Sequence, residues 1–432
     1  MREAAQLKIL VFATQPDPLA ARISLALADV GFGVAALTRS RHPIRVVSKV
    51  KHHFAYHSQS SSRSILAAID RWAPDLVVCS DDLAVRELQA LHMEMATSAD
   101  PATKHISDLI ELSLGPPASF PATGNKSVFL TLAERLGLRC PRTTVLQAAQ
   151  AFNLDPTELT YPIVVKADHS DGGRCVRTVK SRSDLRNTVW ELQTPCSWRA
   201  RPLFGAILGS KAMSLLTFPL RRTISLQDYI VGRPANRAVL CWKGKVLAGI
   251  SVEAVEVTHD RGPASVVRLI DHPEMAEAAD HVVRHLNLSG FVGFDFIVDA
   301  ANQAWLLEMN PRVTPICHLA LADGTNLAGS LYKQMTSQLP RSRDVPIRHD
   351  VIALFPNEVI RSPSSDYLTS CQHDVPWEEP ELVRNILNRE LRTRWLKRAR
   401  AFVESRCPSI AGALARIGLI DARAPTGVTP PL

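Results

Sequence analysis

The sequence predicts an α/β fold whose first part is a parallel β-sheet with both faces covered. Apolar strand patterns alternate with helical patterns from the first residues of the 432-residue chain onward. The early strands are apolar at nearly every position, which is typical of strands that are buried on both faces. Hydrophobic residues make up 46% and charged residues 21% of the chain. This is the composition of a globular protein.

The first part of the chain, up to about residue 115, alternates regularly between strand and helix. Strands are predicted at 8–13, 34–38 and 75–80, and helices at 18–30, 65–72 and 83–91. Gly31 is expected to end the first helix. No GxGxxG motif follows the first strand, so this part lacks the fingerprint of a dinucleotide-binding fold.

The second part of the chain mixes strands and helices in a less regular order. Helices are predicted at 125–136, 184–192 and 273–286, and strands at 161–166, 175–179, 225–231, 238–242, 291–299 and 304–309. The last two strands are separated by a short polar turn, so they form a predicted hairpin. Residues 195–222 carry no clear pattern.

Composition and loop positions predict three parts of the chain. These are an α/β domain at 1–115, a second domain at 116–340 and a C-terminal extension at 341–432. The extension contains a basic amphipathic segment, residues 384–406, with seven arginines and one lysine against two glutamates. We expect a packed surface helix there, and contact with an acidic membrane surface is the alternative.

The net charge, the cysteines and the apolar runs of the sequence exclude several classes of protein. The chain has a formal net charge of +8 and eight cysteines, none of which forms a CxxC pair. Neither a zinc knuckle nor a disulfide framework is indicated, so the expected location is the cytoplasm. No nucleic-acid-binding motif accompanies the basic segment. No run of about 18 uninterrupted apolar residues predicts a membrane span, and the first residues do not resemble a signal peptide.

The strongest chemical signal is the predicted hairpin, GFDFIVDAANQAWLLEMNPR. We place its turn at Ala301 and Asn302. Asp295 then lies opposite Glu308, and Asn310 shares the face of Glu308. Two facing carboxylates in an apolar ribbon repel each other unless a cation lies between them. Oxygen ligands without cysteine or histidine favour magnesium or manganese, with phosphates of a substrate completing the coordination.

Three weaker signals precede the hairpin in the sequence. Lys166 ends an apolar strand, and glycines in the loop at 170–174 (SDGGR) would let backbone N–H groups approach phosphate oxygens. Lys126 begins a predicted helix. Residues 227–232 (QDYIVG) form a strand end whose backbone could bond a purine ring. Taken singly, the glycine loop is as often an ordinary turn, Lys126 is more often a surface lysine, and residues 227–232 are more often a bare strand end.

In their order along the chain, these features resemble the ATP-grasp superfamily. The glycine loop GGR at 172–174 and the segment LLEMNPRVT at 306–314 are most similar to its carbamoyl-phosphate-synthase-like branch. The resemblance covers about residues 1–335. It implies an ATP-grasp fold of α+β lobes at 116–340, with a central lid lobe at about 160–228, preceded by a parallel α/β pre-ATP-grasp domain at 1–115.

The resemblance also implies roles for residues at matching positions. Contacts to ATP are implied for Lys126, Lys166, Ser170, Gly172, Gly173, Gln227, Asp228, Tyr229, Ile230 and Asn236. Magnesium, with manganese as the alternative, would be held by Asp295, Glu308 and Asn310. Three arginines are the implied catalytic residues: Arg312, Arg174 and Arg268. Where relatives often place a ribose-binding glutamate, this chain has Arg-Pro-Ala-Asn at 233–236, so Asn236 would substitute.

The implied activity is that of an ATP-dependent ligase. A carboxylate would be activated as an acyl phosphate and joined to an amine or a thiol, with release of ADP and phosphate. Two alternatives stay open: an enzyme that activates bicarbonate or carbamate, and a nucleotide-binding module without catalysis. Only one ATP-grasp unit is visible in the sequence, whereas complete carbamoyl-phosphate synthases carry two.

The expected partners are small-molecule carboxylates and amines, and no nucleic acid. A homodimer stays open. Several other segments receive structural interpretations. The histidines of residues 51–57 (KHHFAYH) are assigned to a basic surface loop, and residues 203–220 to an insertion in the central lobe. Cys317 and His318 are expected near the site without a base that would make Cys317 a nucleophile. Residues 371–379 could shape a pocket.

Overall fold

The computed structural model describes residues 6–96, 101–146, 159–167, 176–193, 224–259, 262–340 and 347–389. Contacts divide the chain into two units. One comprises residues 1–141 and 230–387, and the other comprises residues 142–229 and 388–432. Four predicted site residues lie outside the described residues: Ser170, Gly172, Gly173 and Arg174. The stretch 195–222 and the basic segment from residue 390 onward also lie outside them.

Strands and helices are numbered separately, in chain order. The strands are β1 (Lys8–Ala13), β2 (Gly33–Thr38), β3 (Val50–Ala55), β4 (Leu76–Cys79), β5 (Thr143–Leu146), β6 (Ile163–Ala167), β7 (Val176–Val179), β8 (Ile224–Asp228), β9 (Arg233–Trp242), β10 (Lys245–Val257), β11 (Ala264–Leu269), β12 (Gly290–Val298), β13 (Ala304–Asn310), β14 (Val351–Leu354) and β15 (Gln372–Asp374). The α-helices are α1 (Pro18–Val30), α2 (Ser61–Trp72), α3 (Asp82–Met95), α4 (Pro101–Leu114), α5 (Phe120–Gly124), α6 (Lys126–Arg135), α7 (Arg182–Gln193), α8 (Pro273–Leu286), α9 (Leu327–Thr336), α10 (Asn357–Arg361), α11 (Tyr367–Ser370) and α12 (380–389).

The first four strands form a parallel sheet in the order β3-β2-β1-β4. Strand β1 and helix α1 have the bounds predicted from the sequence. Helix α1 begins where the Asp17 side chain accepts a hydrogen bond from the Leu19 N–H, with Pro18 in the first turn. It ends at Gly31, whose φ of 122° favours glycine. The bounds of α1 are therefore determined by the residues at its two ends.

Residues 50–55 form the edge strand β3, so their assignment to a surface loop was wrong. In β3, Val50 is buried while Lys51 and His52 are exposed. An edge strand has a neighbour on one side only, so it carries polar residues that mask its strand pattern. Here the backbone pairs with β2, for example His53 with Ala36.

A carboxylate closes the turn between β1 and α1. Asp81, which follows β4, accepts hydrogen bonds from the Thr14 N–H (2.6 Å), the Thr14 hydroxyl (2.7 Å) and the Gln15 N–H (3.0 Å). It also caps α3 by accepting from the Ala84 N–H at 2.9 Å. Amides at this turn bind phosphate in dinucleotide-binding folds. In this protein a side chain occupies them.

A seven-stranded sheet follows in the order β13-β12-β9-β10-β11-β14-β15, antiparallel except for its last pair. One face packs with α1 and α9, where Val252 and Ile250 belong to the same core as Leu331. The other face packs with α6 and α8, where Phe294 and Phe129 share a second core. Side chains alternate between these two cores along each strand, and this alternation decides which face carries the site.

The residues after 340 are part of this fold, because β14 and β15 extend the large sheet. In the stretch 371–379, Asp374 is buried and forms an ion pair with Arg22 of α1, with His318 Nε2 2.8 Å from its carboxylate. Glu379 is also buried and accepts hydrogen bonds from the Ser48 N–H and hydroxyl. Buried acids therefore attach this region to helix α1 and to the segment that precedes β3.

We expect Asp374→Asn to lower the free energy of unfolding by about 3 kcal/mol, because it leaves the buried Arg22 guanidinium without its counter-charge. Their side chains are only 9% and 6% exposed. Urea denaturation followed by circular dichroism measures the change. Asp366→Asn, at an exposed position, is the matched control and should change stability by less than about 0.5 kcal/mol. Equal effects of the two substitutions would contradict the assignment.

The second unit contains a four-stranded antiparallel sheet in the order β5-β8-β6-β7, with α7 packed on it. Its core includes Val165, Leu226 and Val189. The predicted strand at 225–231 ends earlier, at Asp228. Across the described parts of both units, no helix is long and apolar enough to cross a membrane.

Candidate active site

The hairpin β12–β13 has the predicted pairing at its open end. Asp295 lies opposite Glu308, and Gly293 lies opposite Asn310. A register shift follows, because Phe296 pairs with Leu306. The extra residue in β13 forms a β-bulge. The turn is therefore centred on Ala301, whereas the prediction placed its centre between Ala301 and Asn302. The bulge in β13 restores the predicted pairing of Asp295 with Glu308.

Asp299 organises this turn. One carboxylate oxygen accepts from the N–H groups of Ala301 and Gln303, each at 2.9 Å, and the other accepts from the Trp305 indole at 2.8 Å. These bonds, led by that of Trp305, hold the pKa of Asp299 below its usual value. The turn thus has its own local determinants and does not depend on the carboxylate pair.

Asp295 is held between two amides. One oxygen accepts from Asn236 Nδ2 at 2.6 Å and the other from Asn310 Nδ2 at 2.9 Å. Burial first, and then the nearby Glu308 charge, raise the pKa of Asp295 to about 6. The amide oxygen of Asn236 is buried and has no hydrogen-bond partner in the described part of the chain. The cluster therefore has both excess negative charge and an unused oxygen.

Lys126 reaches this cluster from the first residue of α6. Asn125 starts the helix by accepting from the Ser127 N–H at 2.9 Å, which orients the lysine. Its ammonium lies 3.1 Å from Glu308 Oε2. Burial is the largest single effect and would lower the pKa of Lys126, but the charge and hydrogen bond of Glu308 together with the charges of Asp82 and Asp295 outweigh it, and the pKa is raised. Lys126 is therefore a charged partner of the carboxylate pair.

Arg312 is bonded through all three guanidinium nitrogens. Its Nε donates to Asp82 Oδ1 at 2.9 Å, one terminal nitrogen donates to Asn310 Oδ1 at 3.2 Å, and the other donates to the Val313 carbonyl at 3.2 Å. Burial opposes its charge, but Asp82 and then Glu308 raise its pKa well above the usual value. Asp82 was not predicted as a site residue. It lies 230 positions away in sequence, and no local pattern marks it.

The residues present fit a magnesium ion that binds together with phosphates. In the described ranges, no group of three or more His, Cys, Asp or Glu side chains is placed to hold a metal. The candidate ligands are the carboxylates of Asp295 and Glu308, which face each other across the hairpin, and the oxygen of Asn310. Magnesium is commonly held by one or two carboxylates plus phosphates and water. A divalent cation would also offset the charge that raises the pKa of Asp295.

The structure does not bring Arg268 to this cluster. It lies opposite Glu253 in the β10–β11 pair, and its guanidinium is 3.0 Å from that carboxylate. Glu253 also pairs with Ala235, whose side chain packs with Phe296 in the core on the α6 and α8 side. Asp295 is on the other face. The predicted contact of Arg268 with the reacting anion has no support from this geometry.

The remaining predicted ATP contacts lie at the ends of strands or between them. In the second unit, Lys166 pairs with Ser225 across β6 and β8. Gln227 is buried and donates to the Thr143 hydroxyl at 3.1 Å. Asp228 is 3.6 Å from Arg142, and Tyr229 is 42% exposed. Ile230 is half-buried in the first unit. Their roles toward ATP stay predictions.

Gly293 lets the loop after the hairpin pack against the strand that carries Asp295. A Cβ atom at Gly293 would lie 2.2 Å from Thr314 Cγ2, which no real contact allows. The neighbouring Val313 N–H bonds to the Cys79 carbonyl at 3.0 Å. The loop that begins at Arg312 is therefore held between β12 and the end of β4.

We expect Gly293→Ala to lower turnover at this candidate site at least about tenfold, because displacement of Thr314 would shift Arg312, and a 1 Å misplacement in a site can cost about 100-fold. Steady-state kinetics measure it. Gly33→Ala is the control, since its nearest neighbour would be at 3.4 Å, an ordinary contact. Unchanged kinetics for Gly293→Ala would show that the loop tolerates the shift.

Comparisons with known proteins agree with the predicted resemblance. A family model described as "ATP-grasp in the biosynthetic pathway with Ter operon" matches residues 238–355, which include β10 to β13. The large chain of carbamoyl phosphate synthase from Xylella fastidiosa strain Temecula1 is 25% identical over 234 residues. That match covers 51% of this chain but only 20% of the relative.

Solved structures share the fold over most of the chain. N5-carboxyaminoimidazole synthetase from Staphylococcus aureus matches with a TM-score of 0.54 and 12% identity, covering 80% of this chain and 81% of that one. The biotin carboxylase domain of 2-oxoglutarate carboxylase from Hydrogenobacter thermophilus matches with a TM-score of 0.53 and 15% identity, covering 78% and 70%. L-amino acid ligase from Bacillus licheniformis matches with a TM-score of 0.50 and 12% identity, covering 78% and 75%. The predicted resemblance and fold class are confirmed.

Proposed function

We propose that this chain, which has the ATP-grasp fold, is an ATP- and magnesium-dependent ligase. It activates a carboxylate as an acyl phosphate and joins the acyl group to an amine, with release of ADP and phosphate. A thiol is the alternative acceptor. The substrates are small molecules, and the reaction is expected in the cytoplasm.

The pair Asp295–Glu308 carries this proposal. The two acids face each other across β12 and β13. Lys126 supplies a positive charge next to Glu308, and Arg312 supplies another next to Asn310. A solvated surface pair would need neither the burial that raises the pKa of Asp295 nor the amides of Asn236 and Asn310 that hold it. This combination suits a site in which negative charge on phosphates is neutralised.

The chemistry follows from the poor reactivity of a carboxylate. Its oxygen attacks the γ-phosphorus of ATP, the bond to the β,γ-bridging oxygen breaks, and ADP leaves. The amine nitrogen then attacks the carbonyl carbon of the acyl phosphate, loses a proton and displaces phosphate. Both steps need charge neutralisation and alignment more than a protein nucleophile. Among the described residues we assign no such nucleophile.

Each charged residue has a task in this scheme. Asp295, Glu308 and Asn310 would hold magnesium, which when bound neutralises charge on the phosphate oxygens. Lys126 adds a positive charge next to these ligands. Arg312 orients the carboxylate or the acyl phosphate. In the second unit, Lys166 would contact phosphates, and residues 170–174 would exclude water from the intermediate.

A coupled assay of ADP release tests the function. The protein is incubated with magnesium and ATP and with a panel of carboxylic acids, each with and without a panel of amines including the amino acids. ADP release that requires both an acid and an amine, together with an amide product by mass spectrometry, is the expected result. ADP release that never depends on an acid would contradict the proposal.

An alternative substrate class is bicarbonate or carbamate. The sequence match to carbamoyl phosphate synthase supports it, although the match covers only a fifth of that relative. Labelled bicarbonate distinguishes the two, since only the alternative transfers the label to product. A nucleotide-binding module without turnover is a third interpretation. The paired acids speak against it, because nucleotide binding alone does not require two carboxylates near the γ-phosphate.

A further inference from the structure

A continuous chain of hydrogen bonds joins the N-terminal α/β domain to the candidate metal ligands. Asp82 accepts from Arg312 at 2.9 Å, and Arg312 donates to Asn310 at 3.2 Å. Asn310 in turn donates to Asp295 at 2.9 Å. The donor and acceptor of each bond are determined by chemistry, since a guanidinium only donates and a carboxylate accepts. The Arg312 bond therefore also sets the orientation of the Asn310 amide.

Asp82 is itself held in place by the start of α3. The preceding residue, Asp81, caps that helix and bonds the turn after β1. The Val313 N–H bonds to the Cys79 carbonyl, so the end of β4 and the loop after the hairpin are attached by the backbone as well. The backbone of Asp82 is therefore held in place, so its carboxylate can hold the Arg312 side chain in one position.

We propose that Asp82 is a positioning residue for the reaction, which acts by holding the Arg312 guanidinium and, through it, the Asn310 amide. The inference rests on the proposed function. Asp82 accepts a hydrogen bond from Nε of Arg312, and this contact fixes the orientation of the two terminal nitrogens of the guanidinium. One terminal nitrogen fixes Asn310, whose oxygen retains a second lone pair for a metal. Residues that hydrogen-bond to metal ligands, without touching the metal themselves, orient those ligands.

A purely structural ion pair is the competing interpretation. Exposed ion pairs contribute little to stability, but this one is largely buried, with Arg312 and Asp82 side chains 17% and 21% exposed. Stability alone therefore does not separate the two interpretations. Asp82 also adds a negative charge near Lys126, but a positioning role predicts that most of its effect on turnover passes through Arg312. A structural role predicts a loss of stability that is independent of the catalytic step.

The first test is a double-mutant cycle on ADP release with the acid and amine accepted by the wild type. Asp82→Asn should lower kcat about 10- to 100-fold while the KM for ATP changes less than about twofold. In the Arg312→Lys background, the same substitution should change kcat less than about twofold, because its target is already absent. A full additional loss in that background would overturn the proposal.

Glu87→Gln is the matched control. It removes an acid from the same helix, where Glu87 accepts from the Tyr56 hydroxyl at 3.2 Å, and it should leave kcat within about twofold of wild type. An equal loss for Glu87→Gln would overturn the specific role of Asp82. If Asp82→Asn does not fold, Asp82→Glu replaces it. This variant keeps the charge, so a kcat above that of Asp82→Ala supports the proposal and an equal kcat opposes it.

A second readout does not depend on activity. In ¹⁵N spectra of the full chain, the Arg312 Nε–H signal is identified as the one lost in Arg312→Lys. Its exchange with water should be slow in wild type and Glu87→Gln, and at least about tenfold faster in Asp82→Asn. Unchanged exchange in Asp82→Asn overturns the contact. If the contact is confirmed but no acid supports ADP release, the proposed function fails and the hydrogen bond stands.

Discussion

Glu308→Gln is expected to lower ADP release about a thousand-fold or more, with the fold retained. Glu308 is only half-buried and sits at the open end of the edge strand β13, so an amide of equal size fits there. The substitution removes one of two carboxylates that would hold magnesium. Losses of this size follow when charge stabilisation of a transferring group is removed.

Two measurements are needed to interpret this variant. ADP release in the substrate panel gives the rate, and thermal unfolding shows that the protein remains folded. Glu277→Gln, at an exposed position of α8, is the matched control and should retain full activity. Turnover of Glu308→Gln within about tenfold of wild type would contradict the assignment of Glu308 as a magnesium ligand, since charge groups of this kind are worth at least about 100-fold.

Lys126→Met is expected to have two opposite effects. The rate of ADP release should fall about 100-fold, because a positive charge near the phosphates is lost. Binding of manganese without nucleotide should become stronger, since the ammonium 3.1 Å from Glu308 acts as a counter-charge on a metal ligand. Its removal leaves Asp295 and Glu308 without that charge, and they would attract a divalent cation more strongly.

Electron paramagnetic resonance of free manganese measures the second effect in the absence of ATP. Lys104→Met, at an exposed position of α4, controls for the loss of one positive charge from the molecule. If Lys126→Met binds manganese no better than Lys104→Met, the ammonium does not compete with the metal. Wild-type protein should show clear manganese binding only after a nucleotide is added, because the phosphates draw Lys126 away from Glu308.

Features that depend on neighbouring residues were predictable from the sequence. Strand β1 and helix α1 have the predicted bounds, because apolar runs and caps act locally. The facing of Asp295 and Glu308 was also predictable, since a hairpin turn determines register over a few residues. The bulge at residue 307 shows the limit of this reasoning. It moves the centre of the turn by half a residue, and Asp295 still lies opposite Glu308.

Features that depend on distant residues were not predictable. The contacts Lys126–Glu308 and Asp82–Arg312 join residues 182 and 230 positions apart, and no spacing rule reaches that far. Strand β3 was missed because an edge strand need not be apolar. The wrong expectation that β9 begins at residue 238 arose because its first five residues, from Arg233, are polar or proline except for Ala235, although they pair with β12.

The Asp81 carboxylate affects whether the N-terminal domain can bind a phosphate at the turn after β1. Where dinucleotide-binding α/β folds leave amide hydrogens open to a pyrophosphate, this protein satisfies them from within. An incoming phosphoanion would meet a like charge there instead of a cradle. We therefore expect no phosphate to bind at this turn, which leaves the triphosphate of the proposed reaction to the hairpin that carries Asp295 and Glu308.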